Sequence, residues 1–414
     1  MTTPQDVSIV GAGIVGVATA IYLQREGHRV TLIDRGEPGE GTSFGNAGSL
    51  APGSIIPLAL PGTIRHVPRW ILDPLGPLSL SWRQLPALAP WLFRFWRACN
   101  AQTVATSARA MRSLNRGCVD AYADLLASAG AAELLERAAG LLLYKTERGF
   151  DASAYVRQLR IDNGVEVEVL DAARIRELEP ALSPEYRWGF ALPEGGYVRN
   201  PLRVVQSIVQ QFEANGGTRV TAAVHDFSRA RDGVKALVTD GGEIPVDRLV
   251  IAAGVWSQAL ASKLGVRVPL TSERGYHIHI PSPGVTLHHQ VSDAESRFSA
   301  TSMEGGLRVT GSSEFSGLNA PPEWARTEML ARLAPGMLPG IDTTGYSRWT
   351  GHRPSTPDGR PVIAAVPDYR RVFLAYGHGH WGLMAAPATG QIIADLVAGR
   401  APRIDIAPFH PSRF

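Results

Sequence analysis

Only two cysteines, Cys99 and Cys118, occur in this chain of 414 residues. They are too few for a disulfide framework, and they point to a reducing compartment with both thiols inert in apolar surroundings. Charge is sparse too: 19% of residues are charged and the net charge is +3, with no long basic run. That balance removes the electrostatic footprint of a nucleic-acid binder. No Cys/His cluster has the spacing of a metal site. The start, "MTTPQD", has no Lys or Arg, so the apolar stretch that follows it lacks the positive flank of a secretory signal. Three glycines interrupt that stretch, and no other apolar run reaches the ~18 residues that a membrane span needs. What remains is an ordinary globular composition, 44% hydrophobic, at a length that suits two domains.

The interrupted stretch is the first positive signal. "DVSIV" reads as a short buried strand. "GAGIVG" then places Gly11, Gly13 and Gly16 in G-x-G-x-x-G spacing. "VATAIYLQREG" reads as a helix stopped at Gly27, and "RVTLID" as a second strand ending in Asp34. Gly11 permits a tight turn, Gly13 lets backbone approach a pyrophosphate, and Gly16 lets helix and strand pack closely. The helix start offers free N–H groups and partial positive charge to phosphates. Asp34 follows at about the usual ~20-residue spacing for a ribose-binding acid and disfavours a 2′-phosphate. The pattern predicts a dinucleotide site for NAD or FAD alike.

The next glycine-rich stretch, "GEGTSFGNAGSL" from Gly39 to Leu50, stands where a nicotinamide enzyme would carry another βα unit. Here the chain resembles the D-amino acid oxidase superfamily of flavoproteins. "TSFGNAGSLAPG" is most similar to bacterial D-amino acid dehydrogenases and D-hydroxyproline dehydrogenase-like proteins, with glycine oxidase a more distant relative. The resemblance implies FAD, and it implies cofactor contacts at Ala12, Ile14, Val15, Arg35, Thr42, Ser43, Asn46, Ala47, Gly48 and Ser49. Some relatives attach flavin through a histidine in this loop. None lies between Arg29 and Arg65, so the expected FAD is non-covalent.

From Pro57 to Trp96 the chain is rich in Pro, Trp and Leu, and helical periodicity follows from about Ala101 to Ala139. This reads as a helical cap packed on the protein's own core, with an interfacial membrane contact as the alternative. "GLLLYKT", "TRVTAAVHDF", "VKALVT" and "EIPVDRLVIAAG" read as strands, and "LRVVQSIVQQFEANGG" as a helix. The resemblance places the backbone of Val224 at the adenine end, and Gly254 and Trp256 of "AAGVWS" near the cofactor. "SERGYHIHI" alternates, setting Tyr276, Ile278 and Ile280 on one face and His277 and His279 on the other. Tyr276 is a candidate for the substrate pocket.

The stretch Trp349–Gly399 resembles the C-terminal part of the same flavoproteins. In "YGHGHWGLMAAPATG", Gly377, Gly379 and Gly382 give the backbone room along a flavin edge. A helix beginning between Gly382 and Pro387 would aim its positive end at the flavin, where negative charge develops on reduction. The resemblance makes His378, Gly379, His380, Trp381, Gly382, Leu383 and Met384 cofactor contacts, with His380 also over the substrate. It makes Arg353 of "HRPSTPDG" the clamp on a substrate carboxylate. A guanidinium forks onto a carboxylate through two parallel bonds. The competing reading of Arg353 is a surface ion pair with Asp358. His352 stands where general D-amino acid dehydrogenases carry an apolar residue and looks like the enzymes of D-proline or hydroxy-D-proline.

The expected fold is α/β: a Rossmann-type FAD-binding domain from 1–57, 201–258 and 341–414, with an α+β substrate domain from 58–200 and 259–340. The second domain carries an antiparallel sheet and the helical cap. The expected activity is oxidation of a D-amino or D-imino acid, by hydride transfer from the α-carbon to flavin N5. Electrons would pass to a quinone or to a partner subunit, and an oxygen-using oxidase is the alternative. The expected location is cytoplasmic, with peripheral contact on the inner face of the plasma membrane.

Overall fold

A computed structural model describes residues 4–65, 67, 73, 76–230 and 233–414. Part of the expected cap, at 66, 68–72, 74 and 75, therefore lies outside the described residues. The nucleotide-binding pattern folds as its glycines predict. Strand β1 (Asp6–Val10) leads through the glycine turn into helix α1 (Ile14–Arg25), and Gly27 returns the chain with φ +84° into strand β2 (Arg29–Asp34). β1 pairs in parallel with β2 on one side and with Arg248–Ile251 on the other. Thr218–Thr221 and Tyr369–Tyr376 extend the parallel ladder outward, and Val362–Val366 closes one edge antiparallel. Because the order reverses beside β1, a crevice opens at the carboxyl ends of these strands, where such sheets bind ligands.

Two expected strands divide. "TRVTAAVHDF" leaves the parallel sheet once Ala222 N–H has bonded the Asp34 carbonyl, and Val224–Ala230 joins a separate three-stranded meander. "EIPVDRLVIAAG" splits into Gly242–Pro245 in that meander and Arg248–Ile251 in the parallel sheet.

Among the described residues the larger sheet has nine strands and is mostly antiparallel. At its edge Ser347–Ser355 pairs with Thr271–Ile280, which pairs in turn with Gly306–Phe315. One face of this sheet, with Tyr276, Ile278 and Ile280, packs on the helix Ala325–Met337 through Met329, Leu330 and Ala334. The opposite face, with His277, meets the loop after β2: His277 Nδ1 lies 3.2 Å from the Gly45 carbonyl, and Arg308 donates to the carbonyls of Phe44 and Asn46. That face is the one turned to the nucleotide-binding layer.

The helices read as a cap divide as well. Ala101–Asn115 and Cys118–Ser128, broken at Gly117 with φ +75°, pack behind the C-terminal helix Gly382–Val397. Tyr122 donates to the Leu383 carbonyl there. Leu85–Ala98 packs elsewhere, through Leu88 and Trp91 on Phe315, and Trp91 Nε1 donates to the Ser355 carbonyl at 3.0 Å. Both cysteines are free, and burial pushes the Cys118 thiol up to about 12. Among the described residues, no helix is long and apolar enough to cross a membrane, and no cluster of three or more His, Cys, Asp or Glu is placed to hold a metal.

Candidate functional site

A cavity of about 620 Å³ opens at the strand ends. Its wall brings together residues far apart in sequence: Gly11 to Val15, Asp34, Arg35, Thr42, Ser43, Asn46, Val224, Gly254, Trp256, His378, Gly379, Gly382 and Leu383. Two helices start at this wall, α1 at Ile14 and the C-terminal helix at Gly382. They lie side by side because Gly390 lets them touch; a Cβ there would sit 3.0 Å from the Ala18 backbone and 2.8 Å from the Tyr22 ring. Neither helix start has a side-chain cap on its N-cap residue, and neither carries an acid in its first turn. Both positive ends thus face the cavity with donors to offer an anionic ligand.

The glycines of the motif divide their work. A Cβ on Gly16 would fall onto the Gly11 carbonyl oxygen, and one on Gly11 onto the Ala252 carbonyl oxygen. A Cβ on Gly13 would meet only Ser43 Oγ at 3.4 Å. Gly11 and Gly16 are therefore required by the protein's own packing, whereas Gly13 keeps its side of the cavity open. Ser43 Oγ accepts from Ile14 N–H at 3.0 Å, tying the second glycine stretch to the first. Asp34 holds the turn from the other side, accepting from Ala12 N–H at 2.7 Å and Gly36 N–H at 3.1 Å. Arg35 lies over the Trp256 ring at 4.2 Å. Gly-lined backbone at one end, a carboxylate at the strand end and two helix starts make a lining that fits a dinucleotide with a flat ring system.

Other candidates sit next to this wall rather than on it. After Ala47, Gly48 accepts from Val198 N–H and Ser49 pairs with Tyr197 in a short ladder with the strand Gly196–Val198, where a Cβ on Gly48 would strike the Val198 carbonyl. Met384 points inward, its sulfur accepting from Ala51 N–H. His378, by contrast, lines the wall and is buried, with Nε2 3.0 Å from Thr389 Oγ1, and burial takes its imidazole down to about 3. A histidine neutral when folded but able to take a proton when unfolded adds stability above about pH 6.5, and that stability fades as pH falls toward 3. Going from pH 7 to pH 5 should therefore cost the wild type about 2 kcal/mol more than His378→Gln, measured by urea unfolding at both pH values.

A second, much smaller cavity lies across the glycine turn, lined by His380 and Trp381 with Leu58, Trp91, Phe95, Glu273 and Ser355. Here the structure assembles a buried polar cluster. Arg353 and Glu273 are directly opposed on paired strands, with Arg353 Nη1 3.5 Å from Glu273 Oε1. His380 Nε2 lies 2.7 Å from the same oxygen, and Ser313 and Ser355 each donate to the carboxylate at 2.6 Å. Glu273 is fully buried. Burial alone would push its carboxyl up, but His380, Arg353 and Ser313 overcome that and hold it well below the carboxylate range. Gly275 makes the room: a Cβ there would fall inside the Arg353 guanidinium. Asp358 is not the partner of Arg353; Arg360 and Arg413 hold it at 2.7 and 2.8 Å.

Nothing in the alternation of "SERGYHIHI" singles out Glu273 as a site residue. That alternation puts Glu273 with His277, on the face that meets the cofactor loop, and Tyr276 on the other. Tyr276 is buried away from both cavities, its hydroxyl bonded to Glu314 and accepting from Glu323 N–H at 2.9 Å. Burial and the bond to Glu314 raise that hydroxyl to about 12. His352 also faces away from Arg353, with Nδ1 2.7 Å from Ser272 Oγ and its ring against Trp256.

A family model described as DAO, FAD dependent oxidoreductase, matches residues 6–396. The chain is 38% identical over 424 aligned residues to a protein of Bradyrhizobium diazoefficiens named D-amino-acid oxidase, covering 100% of both. It is 34% identical over 408 residues to a D-amino acid dehydrogenase of Methylobacterium radiotolerans, covering 96% of this chain and 97% of that one. Among solved structures, glycine oxidase from Geobacillus kaustophilus superposes with a TM-score of 0.75 at 24% identity, over 100% of both chains.

Proposed function

The chain belongs to the DAO family of FAD-dependent oxidoreductases, and from that premise we propose that it dehydrogenates D-amino acids, with FAD held non-covalently in the larger cavity. The observation that carries the reading is the Arg353–Glu273–His380 cluster beside the glycine turn that walls that cavity. Curated relatives named D-amino-acid oxidase and D-amino acid dehydrogenase support the substrate class.

Each residue has a task in this reading. Arg353 receives the substrate carboxylate and so fixes the α-carbon. Glu273 holds the guanidinium in place and orients His380. A carboxylate can only accept, so His380 Nε2 carries the proton in that bond, and Nδ1 of the neutral ring is left with a lone pair. That nitrogen takes a proton from the substrate ammonium, leaving a neutral amine whose electron pair forms C=N as the α-hydrogen leaves. When bound, FAD would be held along Gly11–Val15, Thr42, Ser43 and the Gly377–Gly379 turn, and would supply the two-electron acceptor for the α-hydrogen. The start of the Gly382–Val397 helix favours negative charge on the cofactor side of the cavity. The imine product then hydrolyses to a keto acid and ammonia. Tyr276 has no task here.

The narrower reading, a D-proline or hydroxy-D-proline enzyme, drew on His352, whose ring is engaged by Ser272 and Trp256; the broader D-amino acid class is the one proposed. Electrons go on to a quinone or a partner subunit. Transfer to oxygen is the second reading, favoured by the relative named an oxidase.

The test is anaerobic loss of flavin absorbance on mixing with D- and L-amino acids, proline isomers included. Bleaching by D-isomers is expected, and bleaching by L-isomers alone overturns the stereochemical assignment. Reoxidation by air against a quinone analogue then separates the two acceptors. Arg353→Lys should raise KM about 100-fold with a smaller change in kcat, since a point charge cannot reproduce the two-pronged contact. An unchanged KM removes Arg353 from the substrate site.

A further inference from the structure

Among the described residues, the helix Leu85–Ala98 leaves one face without a partner. Its inner side is occupied: Leu88 and Trp91 are buried, and Trp91 and Phe95 line the small cavity beside Glu273 and His380. Its outer side runs as two adjacent stripes at helical spacing. One is Pro86, Ala89, Phe93 and Trp96, led by Trp82 in the short 3-10 turn Trp82–Gln84 just before the helix; the other holds Arg94 and Arg97 with Ala87 and Pro90, led by Arg83 of the same turn. Trp82 is 71% exposed, Phe93 55% and Trp96 57%. The rings of Phe93 and Trp96 touch each other, at 5.7 Å between centroids.

Charge identifies what such a face fits. From Pro74 to Val119 the sequence has no Asp or Glu. Among the described residues, none of Arg83, Arg94 and Arg97 forms an ion pair with a carboxylate. A bulky aromatic stripe flanked by unneutralised arginines is the chemistry of a helix lying in a bilayer interface, with rings at the headgroup boundary and guanidinium groups on anionic phosphate. We propose that this outer face docks on an anionic phospholipid bilayer. The same helix then carries the small-cavity wall on its inner side, which places that wall one helix thickness from the lipid.

The experiment sediments the FAD-loaded protein with vesicles of phosphatidylcholine alone and of phosphatidylcholine mixed with phosphatidylglycerol. The expected result is capture by the mixed vesicles only, reversed by raised salt. The variant Arg83→Gln/Arg94→Gln/Arg97→Gln should partition about 100-fold less. Trp82→Ser/Phe93→Ser/Trp96→Ser should also stay in solution. Both should keep the flavin spectrum and the turnover of a soluble dye, because none of the six lines either cavity. Wild type left in the supernatant at low salt overturns the proposal and turns the face over to a protein partner. Equal capture of wild type and both variants overturns the assignment to this helix. Sedimentation is read without any amino acid present, so it stands or falls apart from the catalytic reading.

Discussion

Gly16→Val should yield a colourless protein of lowered stability, whereas Gly13→Val should yield a colourless protein of nearly wild-type stability. A side chain at Gly16 collides with the Gly11 carbonyl, which is backbone and cannot swing aside. Normal contact can be restored only if α1 retreats from β1 by on the order of 1 Å. That movement loosens the packing of α1 on the C-terminal helix and carries the N–H groups of its first turn out of hydrogen-bonding range of a phosphate. Each charge-assisted bond lost is worth about 1.5–3 kcal/mol, so losing two lowers FAD affinity by at least about 100-fold. At Gly13 the protein itself offers no obstacle, since the nearest atom to an added Cβ is Ser43 Oγ at 3.4 Å. The bulk of valine projects instead into the cavity that Gly13 lines. The pair of variants therefore separates packing from ligand approach. The readouts are visible absorbance after incubation with FAD and denaturant unfolding of the cofactor-free protein. If Gly13→Val retains its flavin band, the larger cavity is not where the pyrophosphate lies.

That contrast also shows what could be read from sequence. The roles of Gly11, Gly13 and Gly16 follow from the tight geometry of one strand–turn–helix, so spacing alone is informative. The cluster at the small cavity is different in kind. Glu273 and Arg353 meet only because Thr271–Ile280 and Ser347–Ser355 pair in one register, which sets Glu273 against Arg353 and Gly275 against Gly351. A shift of one residue would send each side chain to the other face, and nothing local in "SERGYHIHI" says which face meets the cofactor loop. Residue type alone favours Tyr276, which faces the Ala325–Met337 helix; Glu273, three residues earlier, faces the site. The helices after Ala101 gave the same ambiguity. Their amphipathic pattern demands a partner, but which partner is a tertiary matter, and they lie behind Gly382–Val397.

Glu273→Gln should destabilise the protein by about 3 kcal/mol or more, because breaking a buried pair leaves the other charge unpaired. Ser312 O still accepts from Arg353 at 3.2 Å, but no other carboxylate is within ion-pair distance of the guanidinium among the described residues. A purely structural role for Glu273 ends there. A role in the site predicts more: a carboxylate that binds Arg353 should restore in the variant part of what the lost side chain supplied. The unfolding midpoint of Glu273→Gln should therefore rise more steeply than that of wild type as a small carboxylate ligand, such as acetate or a slow D-amino acid analogue, is added. Turnover should fall as well. Gln can present its amide NH2 as readily as its oxygen to His380, so the tautomer with the lone pair on Nδ1 is no longer enforced. The pH profile of kcat should change shape in the variant, not merely drop in height. If stability falls, added carboxylate restores nothing and the profile keeps its form, Glu273 is a structural counter-ion, and the Arg353 guanidinium does not face the substrate.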